Sequence, residues 1–200
     1  MTSLLYGLLL AGGKSSRMGR DKASMVLGAD GLTQARRARG LLETLCRRTY
    51  ISLREGQSVP EGGEGVSVLR DSSDAEGPLC GILAAFREEP AAAWLVLACD
   101  LPFVTAEVLD GLAVRHCEAP WKPFIAYSNV LDGRPEPLCA IYAPAALPVL
   151  LRYAADGNFS PRRIMTEENA ALLHLPNGSA AALVNINTPQ DMEARDHVGR

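Results

Sequence analysis

The stretch LAGGKSSRMGRDK, residues Leu10 to Lys22, follows an apolar run that extends from Leu4 to Leu10. That run has the length of one buried strand and is far too short to span a bilayer. Because glycine lets backbone N–H groups approach an anion closely, glycines and cations after a strand predict a phosphate-binding loop. The loop contains both: Gly12, Gly13, Gly19, Lys14, Arg17, Arg20 and Lys22.

Two common phosphate-binding motifs do not fit this loop. A P-loop requires a glycine at position 8, where this chain has Leu8. The dinucleotide-binding pattern G-x-G-x-x-G cannot be placed over the three glycines either. The pattern that remains is L-A-G-G-x-S-x-R-M-G-x-D-K. Within it, Arg17 suits a bidentate contact with phosphate oxygens and Lys22 suits one phosphate, whereas Lys14 and Arg20 are expected to be solvated.

Length and composition narrow the class of protein. At 200 residues and 48% hydrophobic content, we expect a single domain covering residues 1–200. The net charge of -3 gives no overall positive field that would attract nucleic acid or an anionic membrane. The five cysteines are odd in number and never occur as C-x-x-C, so we expect neither a zinc site nor a disulfide framework. A reducing cytoplasm is the expected compartment.

Apolar periodicity predicts an α/β fold in which strands and helices alternate. Such alternation indicates a mostly parallel sheet with helices on both faces. The predicted strands are 4–10, 49–53, 66–69, 93–99, 124–127, 137–142, 172–175 and 182–186. The predicted helices are 32–48, one that begins at Pro78, one from the N-cap Thr105 to about Val114, 144–155, one that begins at Ser160-Pro161, and one capped by Thr188.

Two aspartates follow predicted strands. Asp100 comes directly after 93–99, the most hydrophobic segment of the chain. Open α/β sheets bind ligands outside the carboxyl ends of their strands, so we expect Asp100 to hold magnesium beside triphosphate oxygens. The alternative is a turn or N-cap aspartate before Pro102. Asp71 should face the same crevice and bind ribose, base or a metal-bound water; alternatively it is a solvated loop residue.

Two further features have a structural and a functional interpretation. Gly81 lies near the start of the helix that begins at Pro78, where free N–H groups favour an anion, but close packing of a helix on a sheet also requires a small residue. The three histidines are far apart, and no serine or cysteine near any of them has the sequence context of a nucleophile, so a hydrolase triad has little support.

Five motifs in this chain resemble those of the molybdenum cofactor guanylyltransferase family, which has a nucleotidyltransferase-like fold. They occur in the family's order and span nearly the whole chain. Each motif alone is a weak signal, but five in the same order are hard to obtain by chance. They are the loop of residues 10–22, GPLxG at 77–81, ACDLP at 98–102, PLCAIY at 137–142 and NINTPQD at 185–191.

The resemblance implies a Rossmann-like, three-layer α/β/α fold with a mostly parallel central sheet. It also implies transfer of GMP from GTP to the terminal phosphate of molybdenum-molybdopterin, with release of pyrophosphate, and suggests cofactor-delivery proteins or molybdoenzyme chaperones as partners. The residues it assigns to the nucleotide are Leu10, Ala11, Gly12, Lys22, Asp71 and Asp100, with Asp100 also holding Mg²⁺, and those on the cofactor side are Arg134, Asn185 and Asn187. We add Gly13 and Gly81 to the expected nucleotide-binding residues. The expected catalytic residues are Arg17, Lys22 and Asp100.

The chain departs from the family pattern at two places. Glu136 stands where the family often has Gln or His, and would place a negative charge near a phosphorylated substrate. Leu53 and Arg54 stand where the family often has an asparagine that helps to hold guanine. Three alternatives therefore stay open: cytidylyl transfer to molybdopterin, a sugar-phosphate nucleotidyltransferase, and a noncatalytic GTP-binding module.

Overall fold

Seven of the apolar runs form one sheet in the computed structural model, which describes residues 4–12, 22–26, 31–71, 75–130 and 132–186. The strand order across the sheet is β3-β2-β1-β4-β6-β5-β7. Only β6 runs antiparallel to its neighbours among these strands. The strands are β1 (Leu5–Leu10), β2 (Thr49–Leu53), β3 (Ser67–Arg70), β4 (Ala93–Ala98), β5 (Phe124–Ser128), β6 (Pro135–Tyr142) and β7 (Ala171–Leu173).

Helices cover both faces of this sheet, and each face has its own buried hydrophobic cluster. The helices are α1 (Gln34–Leu45), α2 (Pro78–Glu88), α3 (Ala106–Glu118), α4 (Ala146–Ala155) and α5 (Pro161–Glu167). Helices α1 and α3 pack together on one face, while α2, α4 and α5 pack on the other. The predicted three-layer α/β/α architecture is confirmed.

Local sequence explains where the helices begin. The side chains of Thr33, Thr105 and Ser160 each accept a hydrogen bond from the backbone N–H three residues later, at the starts of α1, α3 and α5. These side chains satisfy N–H groups that have no partner inside the helix. The predicted Thr105 cap and the helix start at Ser160-Pro161 are therefore confirmed.

One predicted strand is wrong. Residues 182–186 form a turn and an irregular segment, in which the N–H of Ala182 bonds to the carbonyl of Ser179 and that of Val184 bonds to the carbonyl of Ala181. The apolar side chains of this segment are nevertheless buried: Ala182, Leu183 and Ile186. Residues 182–186 are mostly apolar because this turn and the segment after it pack against the core, and not because they form a strand. The helix predicted after Thr188 lies outside the described residues.

The chain path places a switch point between β1 and β4. From β1 the sheet grows through β2 to β3 in one direction, and β4 then adds on the other side of β1. A crevice opens at the carboxyl ends of two such strands, and ligands bind there in open α/β sheets. In the part of the chain that the structure describes, no helix is both long and apolar enough to cross a membrane.

Candidate functional site

The carboxyl ends of β1 and β4 form the centre of the candidate site. Leu10 pairs with Ala98 in the sheet, and the Cys99 N–H donates to the Leu10 carbonyl at 3.2 Å. On the other side, the Ala11 N–H donates to the Ser52 carbonyl at 3.2 Å. Leu10 and Ala11 are buried and fixed by both neighbouring strands, whereas Gly12, the next residue, is exposed.

Gly12 lies beside Asp71, although β2 separates the strands that they follow, β1 and β3. A Cβ atom added at Gly12 would be 3.2 Å from Oδ2 of Asp71 and 3.3 Å from the backbone nitrogen of Arg54. A side chain at position 12 would therefore fill the space next to the carboxylate. The small residue keeps this part of the sheet edge open to a ligand.

Ser52 orients the Asp71 carboxylate. Its hydroxyl donates a hydrogen bond of 2.5 Å to Oδ1 of Asp71, and the Asp71 N–H donates to the Leu53 carbonyl at 3.0 Å. Ser52 is buried and Asp71 is half-buried. Ser52 was missed in the sequence, although a polar residue near the end of an otherwise apolar strand is a signal that it has a partner.

Gly81 is buried where α2 crosses the sheet. An added Cβ there would be 2.3 Å from Oγ of Ser52 and 2.8 Å from Cδ2 of Leu10. The close-packing interpretation of this glycine is therefore supported, since it lies directly behind the serine that holds Asp71. A direct contact between Gly81 and a nucleotide stays a prediction.

Asp100 lies two residues after β4, at the centre of the same edge. Its backbone carbonyl accepts a 3.0 Å hydrogen bond from the Ile186 N–H, which brings the segment after β7 back to the site. The exposed Asn185 is next to Ile186 in sequence and so lies near Asp100. The assignment of Asn185 and Asn187 to the cofactor side stays a prediction, and Asn187 lies outside the described residues.

Glu136 is at the start of the antiparallel strand β6, and therefore reaches the same edge as the ends of the parallel strands. Its side chain is 1% exposed, and burial raises its pKa, an effect opposed by the Leu138 N–H and by Arg162. Arg162 Nη2 lies 2.8 Å from Glu136 Oε2. Glu136 was expected to place a negative charge near a phosphorylated substrate; the structure instead buries its carboxylate and pairs it with Arg162.

A cleft of about 440 Å³ lies at the carboxyl ends of β5 and β7. Its walls come from the turn between β5 and β6 and from the segment that follows β7. Arg134 is in that turn, where its carbonyl accepts from the Asn129 N–H at 2.8 Å. The lining residues are Ser128, Asn129, Val130, Gly133, His174, Leu175, Pro176, Asn177, Gly178 and Ala180.

Several predicted residues belong to the loop that opened the sequence analysis. Gly13, Lys14, Arg17, Gly19 and Arg20 lie outside the described residues. Lys22 begins a 3-10 turn, Lys22–Ser24, and only its backbone is described. Ala23 in this turn is fully buried.

The donor set fits a magnesium ion that has few protein ligands. In the described part of the chain, His, Cys, Asp and Glu side chains form no group of three that would enclose a metal. Asp100 lies two residues after β4 and Asp71 directly follows β3, so their carboxylates belong to strand ends that β2 and β1 separate. Mg²⁺ commonly takes one or two carboxylates and completes its shell with waters and substrate phosphates, so a single carboxylate at Asp100 suits it.

The chain resembles known proteins over most of its length. Residues 7–172 match the MobA-like NTP transferase domain family. A probable molybdenum cofactor guanylyltransferase of Mycobacterium avium is 30% identical over 193 residues, which cover 95% of this chain and 94% of that protein. A molybdenum cofactor biosynthesis bifunctional protein of Synechocystis sp. is 32% identical over 189 residues. The match covers 94% of this chain but 52% of the bifunctional protein, so the chain spans about half of that relative's length.

Solved structures share the fold. Molybdopterin-guanine dinucleotide biosynthesis protein A from Archaeoglobus fulgidus matches with a TM-score of 0.73 and 23% identity, covering 96% of this chain and 97% of that one. A 2-C-methyl-D-erythritol 4-phosphate cytidylyltransferase from Thermus thermophilus matches with a TM-score of 0.65 and 17% identity, covering 96% and 98%. At these identities the likeness establishes the architecture alone.

Proposed function

Because the chain belongs to the MobA-like NTP transferase family and is a nucleotidyltransferase, we propose that it transfers GMP from GTP to the terminal phosphate of molybdenum-molybdopterin. The observation that carries this proposal is the convergence of Gly12, Asp71 and Asp100 on one sheet edge. The 30% identity to a protein named as a guanylyltransferase, over nearly the full length of both chains, supports the choice of GTP and of the acceptor.

The strand order supports a division of the edge between the two substrates. We assign GTP to the β3-β2-β1 side of the edge. This side carries Gly12, Asp71 and Ser52, against which Gly81 packs. The β6-β5-β7 side carries the 440 Å³ cleft and is assigned to the acceptor. Asp100 follows β4, between the two halves, where the reacting groups would meet.

The reaction requires no nucleophile from the protein. An ionised oxygen of the acceptor phosphate attacks the α-phosphorus of GTP, a new P–O bond forms, and the bond to the β-phosphate oxygen breaks as pyrophosphate leaves. The enzyme's task is therefore alignment and compensation of charge. In this proposal the Gly12-Gly13 backbone and Lys22 hold the triphosphate, and Arg17 takes part of the charge that develops on pyrophosphate.

Asp100 would hold Mg²⁺, with Asp71 beside the nucleotide. When bound, the ion supplies Lewis-acid polarisation of the α-phosphate. Asp71 is already oriented by Ser52 before any ligand arrives, so little reorganisation is needed at this part of the site. We place the reaction in the cytoplasm, in the biosynthesis of molybdenum cofactor.

Pyrophosphate release tests the proposal. The protein would be incubated with Mg²⁺ and molybdopterin and with each of GTP, CTP, ATP and UTP in turn, and we expect release with GTP. Release with CTP alone would assign cytidylyl transfer instead. Tight GTP binding without pyrophosphate release in the presence of any candidate acceptor would favour a noncatalytic binding module.

A further inference from the structure

Arg162, near the start of α5, bridges two acidic residues that are distant from it in sequence. Its Nη2 atom lies 2.8 Å from Oε2 of Glu136, and its Nη1 atom lies 3.5 Å from Oδ2 of Asp132. Glu136 belongs to β6, and Asp132 belongs to the turn that precedes β6. The guanidinium thus connects a helix on one face of the sheet to the edge where the candidate site lies.

The buried Glu136 depends on this arginine. Its carboxylate also accepts a 3.2 Å hydrogen bond from the Leu138 N–H and a hydrogen bond from the Asn129 side chain. A carboxylate that is 1% exposed would be strongly unfavourable without an opposite charge. Arg162 supplies that charge, and its own side chain remains 36% exposed.

The same arginine holds the β5–β6 turn, by which we mean residues 129–130 and 132–134. Asp132 uses Oδ1 to accept a 3.0 Å hydrogen bond from the Arg134 N–H, which leaves Oδ2 for Arg162. The turn is closed by two backbone bonds of 2.8 Å that join Asn129 to Arg134 and Gly133 to Asn129. Arg162 therefore joins α5 to the turn at Asp132 and to the start of β6 at Glu136.

The β5–β6 turn is part of the acceptor half of the site. Asn129, Val130 and Gly133 line the 440 Å³ cleft. The Asp100 carboxylate is close enough to contribute to the raised pKa of Glu136. Movement of the turn would therefore change both the cleft and the surroundings of Asp100.

We propose that Arg162 is a positioning residue for the phosphorylated acceptor: by pairing with Glu136 and Asp132 it fixes the β5–β6 turn as a wall of the acceptor cleft. This inference rests on the proposed function and adds to it a residue that acts through others. Among the described residues, Arg162 forms its ion pairs with Glu136 and Asp132, which lie on the β6-β5-β7 half of the edge. Nucleotide binding on the β3-β2-β1 half should therefore be independent of them.

Steady-state kinetics of Arg162→Gln test the proposal. We expect the KM for molybdopterin to rise by about tenfold or more, since small misplacements of a substrate-positioning element have effects of this size. The KM for GTP should change by less than about twofold, a split that a general loss of folded structure would not produce. Arg162→Lys, which retains the charge, should recover part of the loss.

Glu136→Gln separates positioning from direct binding. If Arg162 contacted the acceptor phosphate itself, Glu136→Gln would leave the KM for molybdopterin at the wild-type value, and that result would overturn the proposal. Positioning requires the KM to rise in Glu136→Gln as well. It also requires the double variant to be no worse than Arg162→Gln alone, because the two residues form one coupled unit.

Hydrogen exchange supplies a readout that does not depend on turnover. The Asn129 and Gly133 amides should exchange faster in Arg162→Gln by about fivefold or more, because the turn loses its connection to α5. Arg152→Gln is the matched control: it removes the ion pair of Arg152 with Glu168, which ties α4 to the end of α5. It should leave both KM values and the turn amides unchanged.

Failure of the proposed function can be distinguished from failure of the inference about Arg162. Absence of pyrophosphate release by the wild-type protein would overturn the proposed function, while the exchange data would still show whether Arg162 fixes the turn. Normal wild-type turnover together with an unchanged molybdopterin KM in a folded Arg162→Gln variant would overturn the inference alone.

Discussion

The hydroxyl of Ser52 and the carboxylate of Asp71 are joined by a 2.5 Å hydrogen bond between two neighbouring strands of the sheet. The contact leaves Oδ2 of Asp71 facing Gly12. Behind the serine, Gly81 of α2 approaches so closely that an added Cβ would be 2.3 Å from the hydroxyl oxygen. Packing of a helix on the sheet therefore determines where a carboxylate of the candidate nucleotide site lies.

Gly81→Ala should disturb this arrangement. The methyl group must displace Ser52 or Leu10, both of which are buried, and overpacking of this kind costs about 1–3 kcal/mol of unfolding free energy. Displacement of Ser52 also misplaces Asp71, so GTP should bind about tenfold more weakly. Urea unfolding and GTP titration measure the two effects.

Gly40→Ala is the control for Gly81→Ala. Gly40 lies inside α1, and an added Cβ there meets no atom within 4 Å. Alanine is the better helix former, so this variant should gain up to about 1 kcal/mol and bind GTP normally. Equal stability of the two variants would contradict the packing argument.

The sequence was sufficient to predict the strand-end residues because their signal is local. An apolar run that ends in Gly12 or Asp100 indicates both the strand and its end, and parallel strands bring their carboxyl ends to one edge. The order of strands in the sheet is a property of the tertiary fold. It was the structure that placed Asp100 between the two halves of that edge.

Contacts between distant residues could not be predicted in the same way. Ser52 and Asp71 are 19 positions apart, and Arg162 and Glu136 are 26 positions apart. The residues of each pair come into contact only after strands and helices have packed, and no local pattern in a single sequence indicates such a contact. The sequence alone therefore predicts a charge near the substrate at Glu136, and the structure shows that its partner is Arg162 in α5.

Asp100→Asn should remove most of the dependence of turnover on Mg²⁺ concentration. The amide has the shape of the carboxylate but lacks its charge, so the fold is expected to persist while turnover falls by about 10²-fold and most of the dependence on Mg²⁺ disappears. A titration of turnover against Mg²⁺ concentration is the measurement. Asp110→Asn, an exposed position on α3, is the control and should titrate as the wild type does. An unchanged titration for Asp100→Asn would refute its role as metal ligand.

Lys22→Ala should reduce turnover by about 10²-fold or more, because a preorganised positive charge on the triphosphate would be lost. The comparison is with Lys122→Ala, since Lys122 precedes β5 and therefore lies at the opposite edge of the sheet. Single-turnover pyrophosphate release, with circular dichroism to verify folding, distinguishes the two variants. Near-normal turnover by a folded Lys22→Ala protein would exclude this lysine from the mechanism.

The burial of His116 should make the free energy of unfolding depend on pH. It is 4% exposed in α3, neither ring nitrogen has a hydrogen-bond partner among the described residues, and burial lowers its pKa below the usual 6.5. The native state therefore takes up this proton only at a lower pH than the unfolded chain, which is protonated as the pH falls below about 6.5. Because the unfolded state then binds more protons, the free energy of unfolding decreases toward acid pH.

His116→Leu removes this proton uptake. The Tm of the variant should be at least equal to that of the wild type at pH 7.5, since an apolar side chain replaces a buried polar one without partners. The difference in Tm should then grow in favour of the variant as the pH is lowered toward 5. Thermal unfolding at several pH values measures it, and a difference that stays constant or shrinks across this range would show that His116 is protonated in the native protein.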